Sequence, residues 1–487
     1  GSHSPGQHSP IHPSRQHPLG SHSPGQHSPI HPSRQHPLGS HSPATNPQVP
    51  PSAPPPNLTY IPLPQRPVSY LCTLMKNFDI PIIYRSPLIS AIKNRRKQQD
   101  KMKKDFTPTL LDLGNLRIYL ARHFGFCYGV ENAIEISFRT IDENPGKRIF
   151  LLSEMIHNPQ VNADLQSRGI QFLQDTHGKQ LIPFEDLTKD DIVIIPAFGT
   201  TLEIEKRLQD IGITTEKYNT TCPFVEKVWN RSAQIAQKDY TIVVHGKPGH
   251  EETRATFSHA AASTPTVVVK DMKEAQLLAG YINGTSTPDS FYTIFKGQYS
   301  EGFDVNKDLT RIGVVNQTTM LASDTQAIAD FLKQTMIETH GLSPATVEDR
   351  FADTRDTLCY ATLDNQSAVI GLLGTPADMA IVVGGYNSSN TSHLVELCEE
   401  RMPTYFISSE EKIRSPQEIL HYNFHKKQEE TTHDWLSTKK APLRILISSG
   451  ASCPDALVEA VIRKLAGYFN AAQTVETLVT TFAAQPA

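Results

Sequence analysis

The run Asp191-Ile-Val-Ile-Ile-Pro-Ala-Phe198 is short and apolar, and Leu202, Ile204, Leu208 and Ile211 after it fall on one face of a helix. A buried strand feeding an amphipathic helix is the repeating unit of parallel α/β layers. Similar runs lie at Thr241-Ile-Val-Val-His245, Ile312-Gly-Val-Val315, Met379-Ala-Ile-Val-Val383 and Arg444-Ile-Leu-Ile447. Continuous apolar runs suit strands covered on both faces, so the sequence predicts an α/β fold from about residue 116 onward.

Each run gives way to a polar segment of small residues: Ala197-Phe-Gly-Thr200, Gly246-Lys-Pro-Gly-His-Glu-Glu252, Asn316-Gln-Thr-Thr319, Gly384-Gly-Tyr-Asn-Ser-Ser-Asn390 and Ser448-Ser-Gly-Ala-Ser452. Ligands of open α/β sheets bind beyond the carboxyl ends of the strands. Small residues there let backbone N–H groups approach, and hydroxyls and amides donate to oxygens. Five such ends point to an anionic, phosphate-type ligand, although Gly, Ser and Asn also favour ordinary turns.

Upstream the composition changes. Residues 1–67 hold 18 of the 36 prolines and 9 of the 20 histidines, and no acid precedes Asp79. Such a segment buries too little apolar surface to offset its ordering entropy, so a disordered tail is expected. Residues 1–19 recur unchanged as residues 20–38, which is low complexity rather than a solenoid. The first methionine is Met75, and translation is expected to begin there or at Met102. Residues 68–115 read as an N-terminal extension whose basic stretch, 93–104, forms a solvated helix face.

The whole chain of 487 residues carries 46 Lys+Arg against 50 Asp+Glu, which excludes a generally basic nucleic-acid binder. Without an apolar run of membrane length, the expectation is a cytoplasmic protein with no nucleic-acid or membrane partner. The plastid stroma is the alternative if the acid-free leader is a transit peptide. Six cysteines, at 72, 127, 222, 359, 398 and 453, are too sparse for a disulfide scaffold. Cys127, Cys222 and Cys359 each open a stretch of helical character, where the helix dipole favours thiolate, the metal-binding form. Three converging thiolates suit a Cys3His zinc site or an iron–sulfur cluster with one iron lacking a protein ligand; buried structural cysteines are the plain alternative.

At these residues the sequence resembles the 4-hydroxy-3-methylbut-2-enyl diphosphate reductase family, from about Ile118 to about Val458. The markers are Gly125-Phe-Cys-Tyr-Gly-Val130, Ile156-His-Asn-Pro-Gln-Val161, Thr220-Thr-Cys-Pro-Phe-Val225, His250-Glu-Glu-Thr253, Asn316-Gln-Thr-Thr319, Cys359-Tyr-Ala-Thr362, Gly384-Gly-Tyr-Asn-Ser-Ser-Asn-Thr-Ser392 and Ser449-Gly-Ala-Ser452. The resemblance implies three similar α/β modules around a central [4Fe–4S] cluster, at 116–221, 222–350 and 351–470, with a C-terminal tail at 471–487. It implies Cys127, Cys222 and Cys359 as cluster ligands, leaving one iron for the substrate hydroxyl. His157, His250, Ser388, Asn390 and Ser452 are implied to bind the diphosphate, with Thr319 and Ser389 in the same pocket. Glu252 matches the family's acidic residue and Thr318 the hydroxyl that relays its proton.

Two departures stand out. Phe198 occupies a position where many bacterial members have histidine, and Cys453 follows Ser452 where threonine or alanine is more usual; Cys453 is expected to be a bystander. No GxGxxG segment is evident, so electrons are expected from a ferredoxin- or flavodoxin-type donor. The implied activity is reduction of 4-hydroxy-3-methylbut-2-enyl diphosphate to isopentenyl and dimethylallyl diphosphate with loss of water. The alternative is a zinc-stabilised protein that binds a phosphorylated metabolite without turnover. The reductase reading expects near-full activity from about residue 105 onward.

Overall fold

Three parallel sheets carry the molecule. The computed structural model describes residues 78–352, 357–436 and 441–484. The repeat tail, Cys72 and the start at Met75 lie outside these described residues. In the first sheet Ile149–Leu151 is flanked by Gln171–Phe172 and Ile192–Ile194. In the second the order is Thr266–Val269, Thr241–His245, Ile312–Asn316 and Phe351–Ala352, all parallel. The third runs Thr109–Asp112, Leu116–Leu120, Leu443–Ser449, Met379–Val383 and Thr404–Ile407, parallel apart from the first strand. Its edge carries a small antiparallel sheet, Ile413–Ser415, Glu418–Asn423 and Gln428–His433.

The strands read from the sequence are those observed. Ile192–Ile194, Thr241–His245, Ile312–Asn316 and Met379–Val383 are buried throughout, because helices cover both faces. The helix after the first run spans Leu202–Ile211, capped by the Thr201 side chain and ended by Gly212 in the left-handed conformation.

Both ends of the expected layout differ. Leu116–Leu120 pairs with Leu443–Ser449, so it belongs to the third sheet and not to a module beginning at 116. Partners so far apart in the chain leave no local signal. The C-terminal segment is a helix, Ala472–Ala484, with Val475 buried in the third module's core.

Within the extension, Ser86 caps the helix Pro87–Gln99 by accepting from the Ile89 N–H. Leu88, Ile89 and Ile92 are fully sequestered in the same core. Each such burial is worth about 1.5–3 kcal/mol. The helix also sends Lys93 to Asp455 at 2.7 Å. The first half of the basic stretch, Lys93 to Lys97, thus lies on a core helix, residues 101–104 follow its end, and a chain starting near residue 105 would lack part of that core. No helix among the described residues is long and apolar enough to cross a membrane.

Candidate active site

Each of the three cysteines is the residue that opens a helix. Cys127 precedes Tyr128–Glu143, Cys222 precedes Pro223–Ala236, and Cys359 precedes Tyr360–Leu373. Their amides are anchored in neighbouring loops: Cys127 donates to the Ala451 carbonyl at 3.1 Å, Cys222 to Ala197 at 3.0 Å, and Cys359 to Thr318 at 3.2 Å. Gly129 lets two of them meet, since a Cβ there would lie 2.6 Å from the Cys222 Sγ.

The three cysteines, each half-buried, face one shared pocket. Burial pushes the Cys222 thiol far up, and the charges of Cys127, Cys359 and Glu252 push it further. Burial takes Cys359 to about 12, again with Cys127 and Glu252 acting on it. Cys127 is raised by burial as well. Helix-start N–H groups oppose these shifts, from Gly129 and Val130, from Phe224, and from Thr362. The expected dipole effect is therefore present, but desolvation outweighs it, and a bound cation would be needed to hold three thiolates here. Among the described residues no three His, Cys, Asp or Glu side chains close on one point as a single ion requires.

Glu252 lies beside this pocket, 2% exposed, in the first turn of the helix Glu251–Ala261. Its carboxylate accepts the Thr318 N–H. Burial lifts its pKa to about 7 against the lowering effects of Thr318 and His157. Since the Thr318 carbonyl accepts from Cys359, one residue joins the acid to a cysteine loop.

The expected phosphate-binding residues line the same region. The His250 ring caps its helix, its Nδ1 accepting from the Glu252 N–H at 3.2 Å, which leaves Nε2 as an N–H donor. Burial depresses the pKa of His250 well below its ordinary value. The His157 and His250 ring centres are 5.0 Å apart. Ser452 Oγ donates to the His157 carbonyl at 3.0 Å. Asn390 Oδ1 accepts from the Ala451 N–H at 2.9 Å, while its buried Nδ2 has no partner among the described residues. Ser388 caps the helix Ser389–Glu399 by accepting from Thr391, and Ser389 is buried in its first turn. Thr319 is held by Gln317 Nε2 at 2.7 Å. His157, His250, Glu252, Thr318 and Cys359 are thus joined through contacts, as are Ser452 and His157. Ser389 and Thr319 share no hydrogen bond with that group among the described residues.

Phe198 stacks on His157 at 4.2 Å and meets His250 edge-on at 5.6 Å. Cys453 is sealed in the third module's core with Cys398. Sequence reasoning passed over Glu251, whose buried carboxylate accepts from His157 Nε2 at 3.0 Å and from Ser153. It also passed over Gln317, which accepts from Thr253 and the Lys247 N–H. The one available signal was the second acid in Gly249-His-Glu-Glu252.

Residues 118–466 match the protein family described as LytB protein. The chain belongs to the LytB family. Its relatives include the 4-hydroxy-3-methylbut-2-enyl diphosphate reductase of Picosynechococcus sp., 39% identical over 383 residues, covering 78% of this chain and 89% of that one. The reductase of Gloeobacter violaceus is 36% identical, covering 75% and 89%. A solved LytB-type neighbour, E-1-hydroxy-2-methyl-but-2-enyl-4-diphosphate reductase from Plasmodium falciparum, has TM-score 0.52 and 21% identity, covering 72% of this chain and 87% of that one. That likeness speaks for the three-module fold. Every site residue described above lies inside the LytB match, whereas the helices Pro87–Gln99 and Ala472–Ala484 lie outside it.

Proposed function

We infer that this chain reduces 4-hydroxy-3-methylbut-2-enyl diphosphate to isopentenyl and dimethylallyl diphosphate. The observation that carries this reading is the meeting of three helix-capping cysteines from three modules beside a buried acid bonded to Thr318. Family membership supports it. The reaction takes up two electrons and two protons, breaks the allylic C–O bond, releases water and forms one C–H bond.

Cys127, Cys222 and Cys359 are proposed to hold a [4Fe–4S] cluster with one iron left without a protein ligand. When bound, such a cluster supplies one-electron reduction and a site for the substrate hydroxyl. The protein supplies the rest. His157, His250, Ser388, Asn390 and Ser452 hold the diphosphate, with Ser389 and Thr319 nearby; the orphaned Nδ2 of Asn390 is a donor awaiting an acceptor. Glu252, whose pKa near 7 keeps a proton available at neutral pH, delivers protons with Thr318. Burial of the pocket excludes water from the reacting carbons. Electrons are proposed to come from a ferredoxin- or flavodoxin-type protein, in the cytoplasm or, with a transit leader, in the plastid stroma.

The test is metal content with turnover. Anaerobically purified protein should hold about four iron and four sulfide per chain and consume the substrate with a chemical reductant. Stoichiometric zinc without sulfide, persisting after cluster reconstitution, would establish the zinc-stabilised binding protein instead.

A further inference from the structure

We propose that Glu251 is a positioning residue for the diphosphate site, fixing the His157 ring through Nε2 so that its Nδ1 edge faces the anionic end of the substrate. This rests on the reading that His157 binds diphosphate.

Glu251 opens the helix Glu251–Ala261 of the second module and is almost wholly buried. Its two partners, Ser153 Oγ and His157 Nε2 at 3.0 Å, both come from the first module. A carboxylate accepts from Nε2 only when that nitrogen carries a proton. In a neutral ring Nδ1 would then be a lone pair, which repels phosphate oxygens. In the charged ring Nδ1 is a donor. Among the described residues Nδ1 has no hydrogen-bond partner.

The other ionisable groups acting around the ring are Glu252, Glu154 and His250. Burial raises the pKa of both glutamates and lowers that of His250, and of the acids here Glu251 is the one bonded to the ring. The rest of the residue is equally constrained. Phe198 covers one ring face at 4.2 Å, and Ser452 holds the carbonyl at 3.0 Å. Gly385 packs so close that a Cβ would lie 2.3 Å from that carbonyl oxygen. The ring thus comes from the first module, its acid from the second and its main-chain anchors from the third.

Binding of inorganic pyrophosphate to the anaerobic holoenzyme, measured by calorimetry, tests this. Glu251→Gln should weaken binding about tenfold, and Ser153→Ala about two- to threefold, as loss of a charge-assisted contact and of its support would. In a His157→Ala background neither should weaken it further. In turnover, KM should rise while kcat changes little. Wild-type affinity in Glu251→Gln, or its full effect persisting without His157, overturns the proposal. Wild-type affinity in His157→Ala alone would instead remove His157 from the diphosphate site. Iron–sulfur absorption recorded for every variant identifies any that misfolds, and Ser153→Ala, which leaves the acid in place, then carries the test.

Discussion

Thr318 donates its main-chain N–H to the buried carboxylate of Glu252. That bond lowers the acid's pKa, yet burial wins and sets it near 7. Glu252→Gln should therefore keep the cluster and substrate binding but lose about 10²–10⁴ in kcat, the usual worth of a general acid. Steady-state kinetics beside cluster absorption checks this, and near-normal turnover would take Glu252 off the proton path.

The same acid makes a pH prediction. A carboxyl whose folded pKa lies above its unfolded value favours the folded state while protonated. Its contribution is complete below about pH 4.5 and is lost as pH rises to about 7. Wild-type turnover should fall on the alkaline side of neutrality as the proton leaves. A pH–rate profile with no alkaline limb attributable to Glu252 would contradict the assignment.

Gly129 separates two cysteine loops. Gly129→Ala would place a Cβ 2.6 Å from the Cys222 Sγ, so the loops must part. Reduced iron and sulfide content is expected, approaching that of Cys127→Ser, Cys222→Ser or Cys359→Ser. Cys398→Ser and Cys453→Ser, which alter core thiols, should retain the cluster at a stability cost of about 1–3 kcal/mol for a buried hydroxyl.

Asn390→Asp keeps the acceptor for the Ala451 N–H but replaces the orphaned donor with a carboxylate oxygen. KM should rise at least about tenfold, since hydrogen bonds to charged groups are worth about 1.5–3 kcal/mol. An unchanged KM would place the diphosphate elsewhere.

Removal of residues 1–104 takes away Leu88, Ile89 and Ile92 from the third module's core. The expected loss is roughly 5 kcal/mol or more of burial, which for a chain this size lowers Tm by about 5 °C or more. A chain beginning at Phe78 keeps that helix and should melt close to the full-length protein. Calorimetric scans of the two truncations decide the point.

Much of this arrangement was legible in the sequence. The apolar runs ending at His245, Val315 and Val383 named their own strands, because strands buried on both faces need unbroken apolar stretches. Helix starts at Cys127, Cys222 and Cys359 showed through their turn-like neighbours. Leu116–Leu120 did not reveal its partner, since pairing across most of a chain leaves no periodic trace. Glu251 stayed hidden for a different reason: an acid beside an acid at a helix start looks solvated until burial and the His157 bond are seen. That the helix Pro87–Gln99 belongs to a core was masked by its four cations, Lys93, Arg95, Arg96 and Lys97, since its buried face is only three residues wide.

The third sheet also imposes a schedule on synthesis. The Cys127 amide is held by the Ala451 carbonyl, and Leu116–Leu120 by Leu443–Ser449, partners made more than 300 residues later. At about 5–20 residues per second, the ribosome supplies them tens of seconds after Cys127 has emerged. Throughout that interval the Cys127 loop lacks its final wall, so the helix start at Tyr128 settles only when the chain is nearly complete.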